Sequence, residues 1–529
     1  VKHVPRYSLG ALFLLSLAAI AQPAFSRPEV WVAPSLVRVG PTAPAGEASA
    51  ITLRAAKGEY ESFQIIVHAA GGDLANVNVT GSIAGGPQVT LYREHYVRVS
   101  GGYGSDGPNS PEGDGWYPDG LIPFKNPETG RGLSGPLKAA PFDVKMGRNQ
   151  PIWVDVYIPR ATAAGTYRGD FTVTAGQQTA TVTVAVVVWN FALPVKPALK
   201  SCILYWPTSN GGVGRGETQP DAELLRHRLM PMSVSLANEK RFAETLGLNA
   251  TNAGFWSGAD MKTGAMKAAP SPAACRAAAA RHRKDLLLYN YTADEIGHNA
   301  ALYAGLKQWA RSLHQAGIKN LVTMSPTPEL YDDGTGRSAV DIWVMLPKMY
   351  DESQAQVAQV LRKGDAVWSY NALAQDGYSP KWLLHYAPID YRIQPGFINY
   401  SLGLTGVLYW RADYWSADPW HDPSKWRGYP GEGMLVYPGA AVGLPGRVVA
   451  SMRLKYLRDG VDDYDYLALL AQRGQGAQAL AIARRVGQDW HTWARDPEAL
   501  EAARREIGEA LSGTDRPSGG ERRKGRGER

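Results

Sequence analysis

The chain has 529 residues, 44% of them hydrophobic, with 16 Trp, 26 Tyr and a formal charge of +7. That length exceeds one ordinary domain, and the hydrophobic content is enough for large cores, which excludes a largely disordered protein. The excess charge sits at the ends: Lys2 and Arg6 lie near the start, and six basic residues face three acidic ones in the segment 512–529. The remainder is close to neutral, which argues against a nucleic-acid partner.

Residues 1–26 place Lys2 and Arg6 before the apolar stretch 9–21 and then small residues, the plan of a secretory signal peptide. Cleavage after Ala21 or Ser26 fits. The stretch is short for a membrane span, so the mature protein is expected to be periplasmic or extracellular, without stable membrane insertion. From 27 to 191, short alternating strands separated by Gly, Pro and Asn predict a β-sandwich. Examples are SFQIIVH at 62–68 and PIWVDVYI at 151–158. The Gly/Pro-rich insertion 100–145 reads as a packed surface loop. Its Asp106, Glu112, Asp114 and Asp119 lack the EF-hand pattern, and no Cys/His spacing suggests zinc, so no cofactor or metal is expected.

The proline-marked stretch 192–200 reads as a linker. Strand-like and helical runs then alternate to about residue 446, implying a parallel sheet with crossover helices and a length suited to a (β/α)8 barrel. Strands are expected at 202–206, 233–236, 286–291, 320–324, 341–344, 366–370 and 406–410. The Gly-rich stretch 211–216 lacks a following Lys-Ser/Thr and reads as a flexible loop. Residues 447–511 predict amphipathic C-terminal helices packed on the barrel, and 512–529 a disordered basic tail. Cys202 and Cys275 read either as one disulfide or as two small buried residues.

Within the barrel, Leu286–Gly297 reads LLLYNYTADEIG: an apolar and aromatic strand ending in adjacent carboxylates, Asp294 and Glu295. Chemistry in such barrels collects at the carboxyl ends of strands, and paired carboxylates suit acid/base work on a sugar bond. Asp294 also reads as a helix N-cap before a helix beginning near Asn299. Aromatic residues at the ends of later strands, Trp343, Tyr370, Tyr409 and Trp410, are candidate walls of a sugar pocket, with ordinary packing as the alternative. His227 and Arg228 near the second strand are candidate substrate contacts. Arg392 is either a pocket residue or a salt-bridge partner. Asp462, Asp463 and Asp465 read as packing charges on a helix.

Four stretches carry a resemblance: GEGMLVYPG at 431–439, SMRLKYLRDGVDDYDYL at 451–467, GVLYW at 406–410 and AAKGEYESFQ at 55–64. Together they resemble glycoside hydrolase family 123 and its relative, domain-of-unknown-function family 4091. The resemblance implies an N-terminal β-sandwich followed by a (β/α)8 catalytic barrel. It also implies a retaining β-N-acetylgalactosaminidase that acts by substrate assistance on a terminal β-linked N-acetylhexosamine. In such family members the catalytic pair is an adjacent Asp-Glu, matched here by Asp294 and Glu295. Relatives usually follow the pair with Pro, whereas Ile296-Gly297 follows here. The expected partner is a glycan or glycoconjugate substrate. A hydrolase acting on a sugar without a 2-acetamido group, and a non-catalytic glycan-binding protein, are the competing readings.

Overall fold

The computed structural model describes residues 1–3, 27–205, 219–297 and 299–513. The expected signal peptide from residue 4, the stretch 211–216 and the tail from 514 lie outside the described residues. Ten strands come first: β1 (Glu29–Pro34), β2 (Ala50–Lys57), β3 (Tyr60–His68), β4 (Leu74–Ile83), β5 (Gln88–Val99), β6 (Gly115–Pro123), β7 (Phe142–Val144), β8 (Asn149–Tyr157), β9 (Gly165–Ala175) and β10 (Gln178–Ala192). They form two five-stranded sheets, ordered β1-β3-β8-β5-β6 and β2-β10-β9-β4-β7. In β10, Val182, Val184, Val186 and Val188 are buried while the residues between them are not, the period of two expected of a strand with one covered face. These valines share one core with Phe63, Ile65, Ile152 and Val154 of the other sheet.

The insertion 100–145 is not wholly a loop. Strand β6 runs through it and pairs antiparallel with β5, with a register shift between His95 and Tyr96 that leaves Asp119 without a register partner.

The barrel strands follow: β11 (Lys200–Ile203), β12 (Ala250–Asn252), β13 (Leu287–Ala293), β14 (Lys319–Thr323), β15 (Ile342–Met345), β16 (Ala366–Tyr370) and β17 (Gly406–Tyr409). They make one parallel sheet of seven strands, ordered β11-β17-β16-β15-β14-β13-β12, that curls into a nearly closed barrel. The strand expected at 233–236 is absent. Residues 230–232 bridge the two edges instead. Ile203 N donates to Met230 O, Met232 N to Ile203 O and Asn252 N to Met232 O, each at 2.9 Å. Pro231 supplies a single bridge to Ile203 and no N–H, so the ladder cannot extend there.

Helices α1 (Gln219–Arg226), α2 (Leu236–Thr245), α3 (Pro272–Ala279), α4 (Tyr303–His314), α5 (Pro347–Asp351), α6 (Gln354–Lys363), α7 (Ile389–Ile393) and α8 (Asn399–Ser401) lie between the barrel strands. After β17 come α9 (Met452–Leu470), α10 (Gly476–Val486) and α11 (Pro497–Gly513). Parity along the strands separates two environments. Cys202, Tyr289, Leu321, Ile342, Val344, Trp368, Tyr370 and Leu408 share the inner core, whereas Val322, Trp343, Met345 and Val367 pack outward among α4, α6 and α9.

Helix α9 is buried on nearly every face, sixteen of its nineteen residues included, although it carries seven charged side chains. Buried charge of this density requires partners, and each finds one. Arg453 makes paired bonds to Asp119 of β6 at 2.8 Å. Lys455 and Arg458 converge on Asp155 of β8 at 2.5 and 3.3 Å. Asp459 pairs with Arg458, Asp462 and Asp465 with Arg228, and Asp463 with Arg392 and Arg504. Arg504 of α11 also reaches Glu59 and Glu61 at 2.6 Å. The helix is thus a charged keystone between the two sheets and the barrel.

Candidate active site

Asp294 and Glu295 stand directly after the last residue of β13, and both are exposed to solvent. The pairing of β13 with β14 shifts register between Tyr291 and Ala293. Glu295 then adopts a left-handed backbone with φ of 43°, and Gly297 follows at 56°. Adjacent strand residues point to opposite faces. The bulge and the left-handed turn break that alternation, and a non-glycine residue held there is strained, as residues at functional sites often are. Asp294 does not cap the following helix. Asn299 instead caps the short 3-10 turn Ala300–Leu302 that leads into the next helix, its side chain accepting from Ala301 N at 3.1 Å.

Neighbouring strands hold the pair. The Tyr291 hydroxyl donates to Asp294 Oδ1 at 2.7 Å. With its one proton committed, it accepts from Thr323 Oγ1, also at 2.7 Å. Burial first, and the Asp294 charge second, push the Tyr291 phenol well above its ordinary range, so it stays a donor. Tyr370, from the end of β16, reaches Glu295 Oε1 at 3.5 Å. Partial burial and the adjacent Asp294 charge raise the Glu295 carboxyl, against a smaller lowering by the Tyr370 hydroxyl. A raised carboxyl beside a second carboxylate is the arrangement a general acid needs.

Trp410 follows β17 and lines the inner core from its upper end. Its ring stacks on the exposed Trp426 with centroids 5.2 Å apart, and Tyr414 meets it edge-on at 5.0 Å. Trp426, Tyr414, Tyr291 and Glu432 were not singled out by sequence. Their strand-end or loop positions gave no phase by which to find them, except that Tyr291 shares parity with Tyr289.

Three other expected contacts lie elsewhere. Trp343 faces the helical shell, donating to Asp365 at 3.2 Å and meeting Tyr331 edge-on. Tyr409 is fully buried on the outer side of β17, its hydroxyl accepting from Gly433 N at 2.8 Å. Both are one residue out of step with the inner face. Arg228 is buried by its ion pairs with Asp462 and Asp465 and donates to Pro194 O, far from the strand ends that carry the pair. Arg392 is likewise buried, with Asp463. His227 lies in the seam between sheets and barrel, lining a cavity of about 380 Å³ with Tyr60, Tyr92, Asp155 and Lys455. Cys202 and Cys275 are free and belong to separate cores. Among the described residues, no group of three or more His, Cys, Asp or Glu is arranged to hold a metal ion.

Residues 303–470 match the family model for the glycoside hydrolase 123 catalytic domain, and residues 132–175 match that for the glycoside hydrolase 123 N-terminal domain. The chain carries the catalytic domain of glycoside hydrolase family 123. The catalytic-domain match begins downstream of Asp294 and Glu295 and ends with α9, so the keystone helix is part of the family's catalytic domain. The fold agrees with that of a family 123 glycoside hydrolase from Clostridium perfringens, described for glycolipid glycan hydrolysis. The two share 10% identity with a TM-score of 0.62, and the likeness covers 92% of this chain and 98% of that one. A β-glucuronidase from Parabacteroides merdae also matches, at 10% identity over 73% of this chain and 47% of that one, with a TM-score of 0.26. No curated protein matches the sequence significantly.

Proposed function

We propose that this family 123 glycoside hydrolase removes a terminal β-linked N-acetylhexosamine, in the manner of a β-N-acetylgalactosaminidase, with retention of configuration by substrate assistance. One observation carries the reading: two adjacent exposed carboxylates at the end of β13 have different partners, Asp294 bonded to Tyr291 and Glu295 raised beside it. In the first step the 2-acetamido oxygen attacks the anomeric carbon while Glu295 gives its proton to the departing oxygen. The C–O bond to the leaving group breaks as the oxazolinium ring closes. Asp294, fixed by Tyr291, accepts the acetamido N–H and stabilises the positive charge that develops on the ring. Glu295, now ionised, takes a proton from water, whose oxygen reopens the ring and restores the β-anomer.

Trp410 and Tyr370 serve as walls of the sugar site in this reading, with Trp426 beside Trp410. Hydrolysis of an aryl β-N-acetylgalactosaminide, inhibition by a thiazoline mimic of the oxazoline, and loss of turnover in Glu295→Gln test it together. Turnover only of glycosides that lack the acetamido group overturns the substrate assignment and makes Asp294 the nucleophile. Tight glycan binding that survives Asp294→Asn with Glu295→Gln, without wild-type turnover, overturns the reaction itself.

We also propose export. Lys2, Arg6 and the apolar stretch 9–21 support it, and among the described residues no helix is long and apolar enough to cross a membrane. Cell fractionation with amino-terminal sequencing of the product tests it; an intact terminus in the cytoplasmic fraction overturns it.

A further inference from the structure

The motif Gly431-Glu432-Gly433 takes no part in the chemistry above, yet its carboxylate is among the most buried acids of the barrel, at 1% exposure. Each of its oxygens takes one N–H. Trp410 Nε1 donates to Oε1 at 2.5 Å, and the backbone N of Leu373 donates to Oε2 at 2.9 Å. Leu373 lies in the loop that leaves β16 just after Tyr370, and is itself held at φ of 55°. One side chain therefore ties together the two strand ends that carry the aromatic walls.

The flanking glycines explain why the motif has this composition. Both have positive φ, 78° at Gly431 and 67° at Gly433. A Cβ on Gly433 would lie 2.6 Å from Trp410 Cζ2, inside contact distance, so the glycine forms the seat of the indole. A Cβ on Gly431 would lie 2.7 Å from Arg453 Nη1. That nitrogen donates to Gly431 O at 2.8 Å, and the same guanidinium holds Asp119 of β6 through its other two nitrogens. The links run without interruption from the amino-terminal sheet to the wall of the site: Asp119, Arg453, Gly431, Glu432, Trp410.

We propose that Glu432 is a positioning residue that fixes Trp410 as a rigid wall of the sugar site, and that Asp119 and Arg453 set its place from the amino-terminal sheet. The role of Trp410 as a wall rests on the function proposed above; the clamp itself does not. Burial pushes the Glu432 carboxyl up to about 7, while the Trp410 and Leu373 donors and Arg453 pull the other way, so the ionised form is the one both N–H groups favour. An amide at this position presents one oxygen and one NH2 group to two donors, so it cannot serve both.

Glu432→Gln is the test, read in two ways. Without any turnover, the indole N–H resonance of Trp410, assigned by its loss in Trp410→Phe, is expected to move upfield and broaden in Glu432→Gln and in Asp119→Asn. With turnover, Glu432→Gln is expected to raise KM for the aryl glycoside about tenfold while kcat falls by no more than about threefold. Its melting temperature should stay within a few degrees of wild type. An unmoved Trp410 resonance overturns the clamp, whatever the activity. A moved resonance with wild-type KM shows that the clamp exists but that Trp410 is no wall, and overturns the positioning role. If wild type turns over nothing, the resonance alone decides the clamp and the functional reading fails separately. Should Glu432→Gln not fold, Trp410→Phe, which leaves the carboxylate and Leu373 in place, must show the same rise in KM.

Discussion

The hydroxyl of Tyr291, on β13, donates its only proton to Asp294, three residues later and just past the end of that strand, over a distance of 2.7 Å. The bond spans the point where β13 loses its regular alternation, so it fixes the direction of the first carboxylate of the pair. Removing the donor with Tyr291→Phe takes one hydrogen bond from a charged acceptor, worth about 1.5–3 kcal/mol. The expected outcome is a fall in kcat/KM of roughly 10- to 100-fold with little change in melting temperature. Steady-state kinetics beside a thermal melt check it; a variant as active as wild type removes Tyr291 from the site.

Glu295 must carry a proton to act as acid, and its folded carboxyl is raised by partial burial and by Asp294. Activity is therefore retained below that raised pKa and lost as pH rises through it, giving the basic limb of the profile. Tyr370 works against the rise. In Tyr370→Phe the limb is expected at higher pH than in wild type, with a plateau lowered by less than about tenfold. A limb that moves to lower pH contradicts the contact between Tyr370 and Glu295.

Arg504 holds three buried acids, Glu59, Glu61 and Asp463. Arg504→Met leaves them uncompensated and is expected to cost about 3–5 kcal/mol near neutral pH. Burial already raises Glu61, and Arg504 is the main influence that lowers it. Without that influence its folded pKa lies further above the unfolded value. The variant is then least destabilised below the unfolded carboxyl range and loses stability as pH rises through the folded value. Denaturant unfolding of both proteins at acid and neutral pH measures the widening gap.

Trp343 and Arg228 lie outside the site, and their substitution separates stability from catalysis. Trp343→Phe removes the bond to Asp365 and leaves a void, costing about 1–3 kcal/mol. Arg228→Met strands Asp462 and Asp465 and costs more. Both are expected to keep the wild-type KM in the folded fraction. A raised KM in either places the side chain nearer the substrate than its contacts allow.

Cys202 and Cys275 sit in different cores, both fully buried. A thiol reagent is expected to modify neither in the native protein and both after unfolding, with no effect of reductant on the melt. Loss of free thiol in non-reducing preparations contradicts this.

How much of this was legible from residues alone depends on which forces set each feature. The strand at 286–293 and its acidic end were legible because a continuous apolar run is local information, and Asn299 announces the helix that follows. Strand β6 was hidden by Pro118 and Gly120, which read as loop chemistry until β5 supplies a partner. The barrel position at 230–232 contributes one bridge around a proline, too little for any periodic signal. The candidate wall residues divide between the two faces of their strands, for one reason. Both faces of a parallel barrel strand are buried, so apolar patterning does not say which face is inner. Trp343 and Tyr409 lie on the outer parity, Tyr370 and Trp410 on the inner one. Arg228 was misplaced because its partners lie more than two hundred residues away on α9.

The seam beneath α9 and α11 also bears on how such chains are inherited. Glu61, Asp119 and Asp155 stand on the sheets with Glu59 in the turn between β2 and β3, and Arg453, Lys455, Arg458 and Arg504 on the helices opposite. Neither half can be exchanged for a foreign counterpart without stranding a row of like charges in a buried interface. Recombination with distant relatives is therefore expected to yield a folded protein only where both sides of the seam come from the same parent, so that the two modules behave as a single heritable unit.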